Sequence, residues 1–298
     1  MKHFLEISQL THQEINALLE RALYFKNTPH YPDYSKHTVA TLFYENSTRT
    51  RVSFELAAKK LAMTVVDLNL QTSSEVKGEA IEDTVATLAA MGIDLFVIRH
   101  SQNGLQQALA NRFKDKVKII NAGDGQHAHP SQALLDFMTI YEQKPQFSAL
   151  KIAIVGNIRH SRVANSLQCL CSTLGVKELA LVAPEIWQPQ RVHFGYVTDS
   201  LPKGLDGADV IICLRVQHER LQKNEHLDLH TYRQNFALTV KTLNYAKSDV
   251  MLLHPGPINR GVEIDSDVAD GPQSFILQQV INGVFIRMAI LDALATKI

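Results

Sequence analysis

The chain has 298 residues, with 30 Lys and Arg against 30 Asp and Glu, so its formal charge is zero when His is neutral. At roughly 150 residues per domain this length predicts two domains, and the charge balance argues against general attraction to nucleic acid or to an anionic membrane. A composition of 45% hydrophobic and 20% charged residues can fill packed cores and argues against a disordered chain.

Cys169, Cys171 and Cys213 are odd in number and lack zinc-ligand spacing. They read as thiols of a protein kept in a reducing cytoplasm. The N-terminal segment has no signal-peptide pattern, and no unbroken apolar run reaches the roughly 18 residues that a membrane span needs. The expectation is a soluble, cytoplasmic protein.

In chain order, Thr11-His12-Gln13-Glu14 has the spacing of a capping box, and Ile15, Leu18, Leu19 and Leu23 continue at helical spacing. Apolar, strand-like runs follow at 37–45, 94–100 and 117–123, separated by helical patterns at 51–62, 81–91 and 105–113. Strands alternating with helices predict a parallel sheet. Residues 130–143 read as one helix, with Leu134, Leu135, Met138 and Tyr141 as its apolar positions. A second series of strands, at 151–156, 178–183, 209–214 and 250–254, begins after it, so the junction between domains is placed in that helix. Residues 273–298 read as a helix or helix pair, apolar at Ile276, Val280, Val284, Met288 and Leu291. The fold predicted is α/β, with two doubly wound parallel-sheet domains joined by interdomain helices.

The cluster Ser47-Thr48-Arg49-Thr50-Arg51 follows a strand and opens a helix. A helix N-terminus presents unpaired N–H groups to an anion, and hydroxyls and a forked guanidinium add donors suited to phosphate. A plain N-cap with solvated arginines would read the same way, and the pentapeptide alone does not separate the two. Other polar groups stand beyond predicted strand ends, where parallel sheets bind ligands. These are Arg99-His100, the segment 123–132 containing His127, His129 and Gln132, Arg162 after Gly156, Arg215-Val216-Gln217, and His254-Pro255-Gly256-Pro257. The last is a rigid turn in which a cis bond at Gly256-Pro257 is allowed. His127 and His129 lack a third ligand at useful spacing, so no metal site is assigned. No nucleophile stands beside a base and no carboxylate pair offers acid–base work. The arginines contributed by both halves suit a multiply anionic substrate pair, aligned for a transfer reaction.

These motifs, in this order and over nearly the whole length, resemble the aspartate/ornithine carbamoyltransferase family, on its aspartate side and as the catalytic chain. The residues carrying the resemblance also include Ser53-Phe54-Glu55, Ser73, Lys77-Gly78-Glu79, His129-Pro130-Ser131-Gln132 and Glu219-Arg220. Ornithine enzymes carry a Ser-Met-Gly loop and a His-Cys-Leu-Pro turn, and this chain has neither. The resemblance implies transfer of a carbamoyl group from carbamoyl phosphate to L-aspartate in pyrimidine (UMP) synthesis, without metal or organic cofactor. It implies a carbamoyl phosphate domain at 1–130, completed by a C-terminal helix at 284–298, and an aspartate domain at 131–283.

By the same resemblance Ser47, Thr48, Arg49 and Thr50 hold the phosphate, with Ser73 reaching the same ligand. Arg99, His129 and Gln132 address the carbamoyl group, which Thr50 also reaches. Arg162, Arg215 and Gln217 hold aspartate, with Lys77, and Gly256 and Pro257 orient the carbamoyl nitrogen and the attacking amine. Arg49, Thr50, Lys77, Arg99 and His129 are the residues implied in catalysis. Ser73 and Lys77 imply a homotrimer with shared active sites, and Glu45 and Arg220 match positions whose ion pairs accompany closure. Asn157 stands where many relatives have Asp, His218 where Lys is common, and Gly256 where some have a bulkier residue. Association with a regulatory chain or a dihydroorotase is left open.

Overall fold

The structure is a computed structural model and describes residues 1–68, 79–216 and 227–296. The chain divides into two compact units, one of Met1–Met138 with Val280–Ile298, the other of Thr139–Gln279.

The first unit opens with helix α1 (His12–Asn27), whose capping box is formed: Thr11 accepts from the Glu14 amide and the Glu14 carboxylate accepts from the Thr11 amide. Strands β1 (Thr38–Phe43), β2 (Thr64–Asp67), β3 (Leu95–His100) and β4 (Lys118–Asp124) alternate with α2 (Thr48–Lys60), α3 (Ile81–Ala90) and α4 (Leu105–Phe113). All pairings are parallel, in the order β2-β1-β3-β4. Ala40 and Leu42 of β1 and Phe96 and Ile98 of β3 share one core cluster with Val85 and Leu88 of α3 and Leu105, Leu109 and Phe113 of α4. Val39, Leu95 and Val97 are equally buried, and by strand alternation they face the other side. Burial on both faces is why these strands read as continuous apolar runs.

Helix α5 (Pro130–Gln143) leads to the second unit and contains the unit boundary, Met138/Thr139. The second unit carries β5 (Lys151–Val155), α6 (Arg162–Thr173), β6 (Glu178–Val182), β7 (Tyr196–Thr198), α7 (Leu201–Leu205), β8 (Val210–Cys213), α8 (Leu229–Phe236), α9 (Val240–Leu243), β9 (Met251–Leu253) and α10 (Ser266–Ala269). Its sheet is also parallel, in the order β7-β6-β5-β8-β9. The predicted pair of doubly wound parallel sheets is therefore present. In both sheets the chain first winds one way and then the other, which makes a switch point between β1 and β3 and a second between β5 and β8.

The C-terminal pattern forms one helix, α11 (Ile276–Ala295), not a pair. Its first turns depart from the predicted apolar stripe. Leu277, Val280 and Ile281 are exposed, whereas the polar Gln279 and Asn282 are buried. Those amides have partners: Gln279 accepts from the His254 amide and Asn282 from Lys26 Nζ. Helix α11 is also long and apolar enough on average to cross a membrane, which a search for unbroken apolar runs passes over. Ile286, Met288, Ile290, Leu291 and Leu294 are core residues of the protein, and the buried Asp292 pairs with Arg21.

Candidate active site

Ligands of open parallel sheets bind beyond the carboxyl ends of the strands at a switch point. In the first unit that position holds the α2 N-terminus, which follows β1, and Arg99, which ends β3. The N-termini of α1, α6, α8 and α9 are each closed by a hydroxyl or carboxylate cap. Ser47, at the head of α2, makes no such bond, and neither do the residues heading α3, α4 and α10. The amides of Thr48, Arg49 and Thr50 thus keep the donor capacity and partial positive charge that suit phosphate. Arg51, in the same motif, is committed elsewhere: it pairs with Asp67 at 3.2 Å and with Glu55 at 3.7 Å. Arg49 is exposed and enters no ion pair among the described residues. Thr50 is buried.

Arg99 lies 3.2 Å from Glu45 through Nε and donates from its terminal nitrogen to the Ala122 carbonyl. The guanidinium is therefore held from two sides. Beyond β4 the chain makes a tight turn in which the Asp124 amide donates to the Ala128 carbonyl. Gly125 sits at φ +46, and a Cβ there would lie 1.8 Å from Asn103 Oδ1, so this turn requires glycine. It delivers His129, buried, to the head of α5, where its carbonyl accepts from the amides of Gln132 and Ala133. Gln132 is one turn further and also buried, its amide nitrogen 2.8 Å from Asp136 Oδ1. His127, two residues before His129, is bound to Glu6 at 2.9 Å. That hydrogen bond raises the imidazole above its ordinary value and lowers the Glu6 carboxyl. His127 thus ties the N-terminal segment to the turn.

In the second unit Arg162 follows β5 and Arg215 follows β8, the two strands of its switch point. Gly156, at φ +130, ends β5 where a Cβ would lie 2.8 Å from the Leu214 carbonyl. Asn157 Oδ1 lies 2.9 Å from His160 Nδ1 and accepts from the His160 amide. Asn at this position therefore orders the turn by itself. Ser161 caps α6, and Arg162, its first residue, is buried.

The Arg215 loop is tied to the loop after β9 by Glu263, which is fully buried. Its Oε1 accepts from the Asn259 amide at 2.6 Å and stands 3.3 Å from His254 Nε2, and its Oε2 accepts from the Val216 amide at 3.5 Å. Asn259 donates in turn to the Val216 carbonyl. His254 Nδ1 accepts from the Gly256 amide at 2.8 Å, so Nε2 carries the proton it gives Glu263. Gly256 has φ +67 and the Gly256–Pro257 bond is cis, as the turn allowed. Sequence reasoning missed Glu263 and Asp136. The Gln132-to-Asp136 spacing of four, one face of a helix, was a usable signal for the second.

The expected Ser73, Lys77 and Gln217, with His218, Glu219 and Arg220, lie outside the described residues. The remaining expected residues fall into two sets. Ser47, Thr48, Arg49, Thr50, Arg99, His129 and Gln132 belong to the first unit, and Arg162, Arg215, Gly256 and Pro257 to the second.

The first unit thus gathers groups suited to an anion beyond β1 and β3, and the second unit carries an arginine beyond each of β5 and β8. Residues 2–142 match the family described as aspartate/ornithine carbamoyltransferase, carbamoyl-P binding domain, and residues 148–294 match its Asp/Orn binding domain. The chain is 71% identical over 294 residues to an aspartate carbamoyltransferase catalytic subunit of Legionella pneumophila, covering 99% of both chains. Among solved structures, aspartate transcarbamoylase of Trypanosoma cruzi in complex with carbamoyl phosphate and aspartate matches with a TM-score of 0.88 at 28% identity, over 97% of this chain and 95% of that one. Ornithine carbamoyltransferase of Pyrococcus furiosus matches with a TM-score of 0.88 at 28% identity, over 100% and 98%. The chain belongs to the aspartate/ornithine carbamoyltransferase family.

Proposed function

We propose that the chain transfers the carbamoyl group of carbamoyl phosphate to the amine of L-aspartate, giving N-carbamoyl-L-aspartate and phosphate for pyrimidine synthesis. The observation that carries the aspartate side of this reading is the pair of arginines beyond β5 and β8. Two guanidiniums there suit a dicarboxylate, whereas ornithine would bring a cationic side chain to them. The 71% identity to a subunit named for aspartate supports the same choice, which the fold, equally like both kinds of enzyme, does not make.

In this reading Ser47, Thr48, Arg49 and Thr50 hold the phosphate, and Arg162 and Arg215 hold the two carboxylates of aspartate. The neutral amine attacks the carbamoyl carbon, and the carbonyl oxygen gains negative charge in the tetrahedral intermediate. Thr50, Arg99 and His129 stabilise that charge, each such preorganised donor being worth roughly 3 kcal/mol. The C–O bond to phosphate then breaks, its electron pair leaves with phosphate, and phosphate accepts the amine proton. No protein base is needed.

The test offers carbamoyl phosphate with aspartate or with ornithine to the purified chain and measures carbamoylated product and phosphate. Carbamoylaspartate with no citrulline is expected. Citrulline formation, or no turnover of either, overturns the proposal. The assembly that fits is a cytoplasmic homotrimer in which Ser73 and Lys77 of one chain serve a neighbour's site. Sedimentation at the mass of one chain under assay conditions would remove it.

A further inference from the structure

We propose that Asp136 is a positioning residue that decides which end of the Gln132 amide meets the ligand, and that it thereby selects a phosphorylated ligand bearing an NH2 group beside its carbonyl. The inference rests on the placement of Gln132 in the carbamoyl phosphate site and adds to it the origin of selectivity for an amide.

A carboxamide has a donor end and an acceptor end of nearly equal size, so packing alone does not orient it. An ionised carboxylate only accepts. Gln132 Nε2 donates to Asp136 Oδ1 at 2.8 Å, one helical turn along α5. That bond commits the donor end and leaves Gln132 Oε1 as the acceptor. Asp136 is fully buried, where a carboxylate needs a countercharge. The adjacent α11 supplies Arg287, also buried, whose guanidinium interacts electrostatically with Asp136 and lies 5.0 Å from the centre of the Phe54 ring.

Room for Arg287 is built into α11. A Cβ on Gly283 would lie 2.6 Å from its terminal nitrogen, and the Gly283 carbonyl accepts from that nitrogen at 2.9 Å. Burial lowers the Arg287 guanidinium to about 9 while Asp136 opposes the fall, so it stays cationic at neutral pH. An NH2 donated by the ligand then satisfies Oε1. A methyl group in its place would leave that oxygen desolvated and unpaired, and such a mismatch is penalised more than a lost contact.

Two stable phosphonates of like shape read this directly: phosphonoacetamide, with NH2 beside the carbonyl, and acetonylphosphonate, with CH3 there. Calorimetry on the full chain is expected to show the wild type preferring the amide by about tenfold or more. The double variant Asp136→Leu with Arg287→Met removes the carboxylate and its countercharge together and leaves no acceptor at position 136. The Gln132 amide is then free to turn over. The preference should fall to near unity through loss of amide affinity, with ketone affinity unchanged.

Equal affinity of the wild type for both probes overturns the proposal, as does a preference that survives in the double variant or a parallel loss of both ligands. Should that variant not fold, the Gln132 side-chain NH2 resonance of the wild type, identified by its absence in Gln132→Met, decides. Protection from exchange both with and without phosphonoacetamide supports the assignment, and free exchange overturns it. A wild type that binds the amide selectively but makes no carbamoylaspartate would sink the functional reading and leave this one standing.

Discussion

Arg49→Ala is expected to lower kcat/KM for carbamoyl phosphate by about 1000-fold while leaving the fold and its melting unchanged. Arg49 is exposed at the head of α2, so its removal opens no cavity and strands no buried partner. Its loss is therefore free of the usual structural cost. In the proposed reaction it removes a charge-assisted contact to a phosphate that gains charge as it leaves, and such contacts strengthen in the transition state. The comparison with Arg51→Ala sharpens the result. Arg51 is held by Asp67 and Glu55, and its replacement should cost stability of surface size, about 1 kcal/mol or less, with little change in turnover. Steady-state kinetics and thermal melting of the two variants check this. Near-normal turnover of Arg49→Ala would remove it from the site.

The motif Ser-Thr-Arg-Thr-Arg shows what the sequence could and could not say. Its position between an apolar strand and a helical pattern was enough to place it at a helix N-terminus. Which arginine is available is decided by Asp67 on β2, and β2 was not legible. That strand is four residues long with exposed ends, so it lacks the apolar run that revealed β1, β3 and β4. Strand β7 is an edge strand of three residues and escaped for the same reason. The strands flanking the switch points are buried on both faces, and they announced themselves. Arg99, His129, Arg162 and Arg215 accordingly stand at the strand or turn ends where the sequence placed them.

Residues that act through others were harder. Glu263 lies in 259–265, a stretch with no strand or helix. Two of its partners are near in sequence, at positions 259 and 254, but the third is Val216, 47 residues back. No periodicity encodes a contact of that separation. The first turns of α11 were misread because apolar residues were assumed to face inward. There the buried positions belong to Gln279 and Asn282, amides that satisfy a backbone donor and a lysine.

Glu263→Ala is the expected large effect in the second unit. The carboxylate is fully buried and serves the Asn259 amide, the Val216 amide and His254. Truncation leaves those donors without an acceptor in a dry interior, at a cost of about 3 kcal/mol or more in stability. The functional consequence should be one-sided. Glu263 ties the loop bearing Arg215 to the loop bearing Gly256, both in the unit that holds aspartate in the proposed reaction. The aspartate KM is expected to rise by about 100-fold, in line with the loss of an oriented guanidinium–carboxylate pair. The KM for carbamoyl phosphate should change little, because the residues proposed to hold it hang from the other sheet. Glu263→Gln separates packing from charge. It keeps the volume but turns a donor toward an amide that needs an acceptor, so it should fall between wild type and alanine in both respects. Denaturant unfolding and kinetics with each substrate varied in turn measure these quantities. A parallel rise in both KM values would mean that Glu263 supports the fold as a whole and not the aspartate loops.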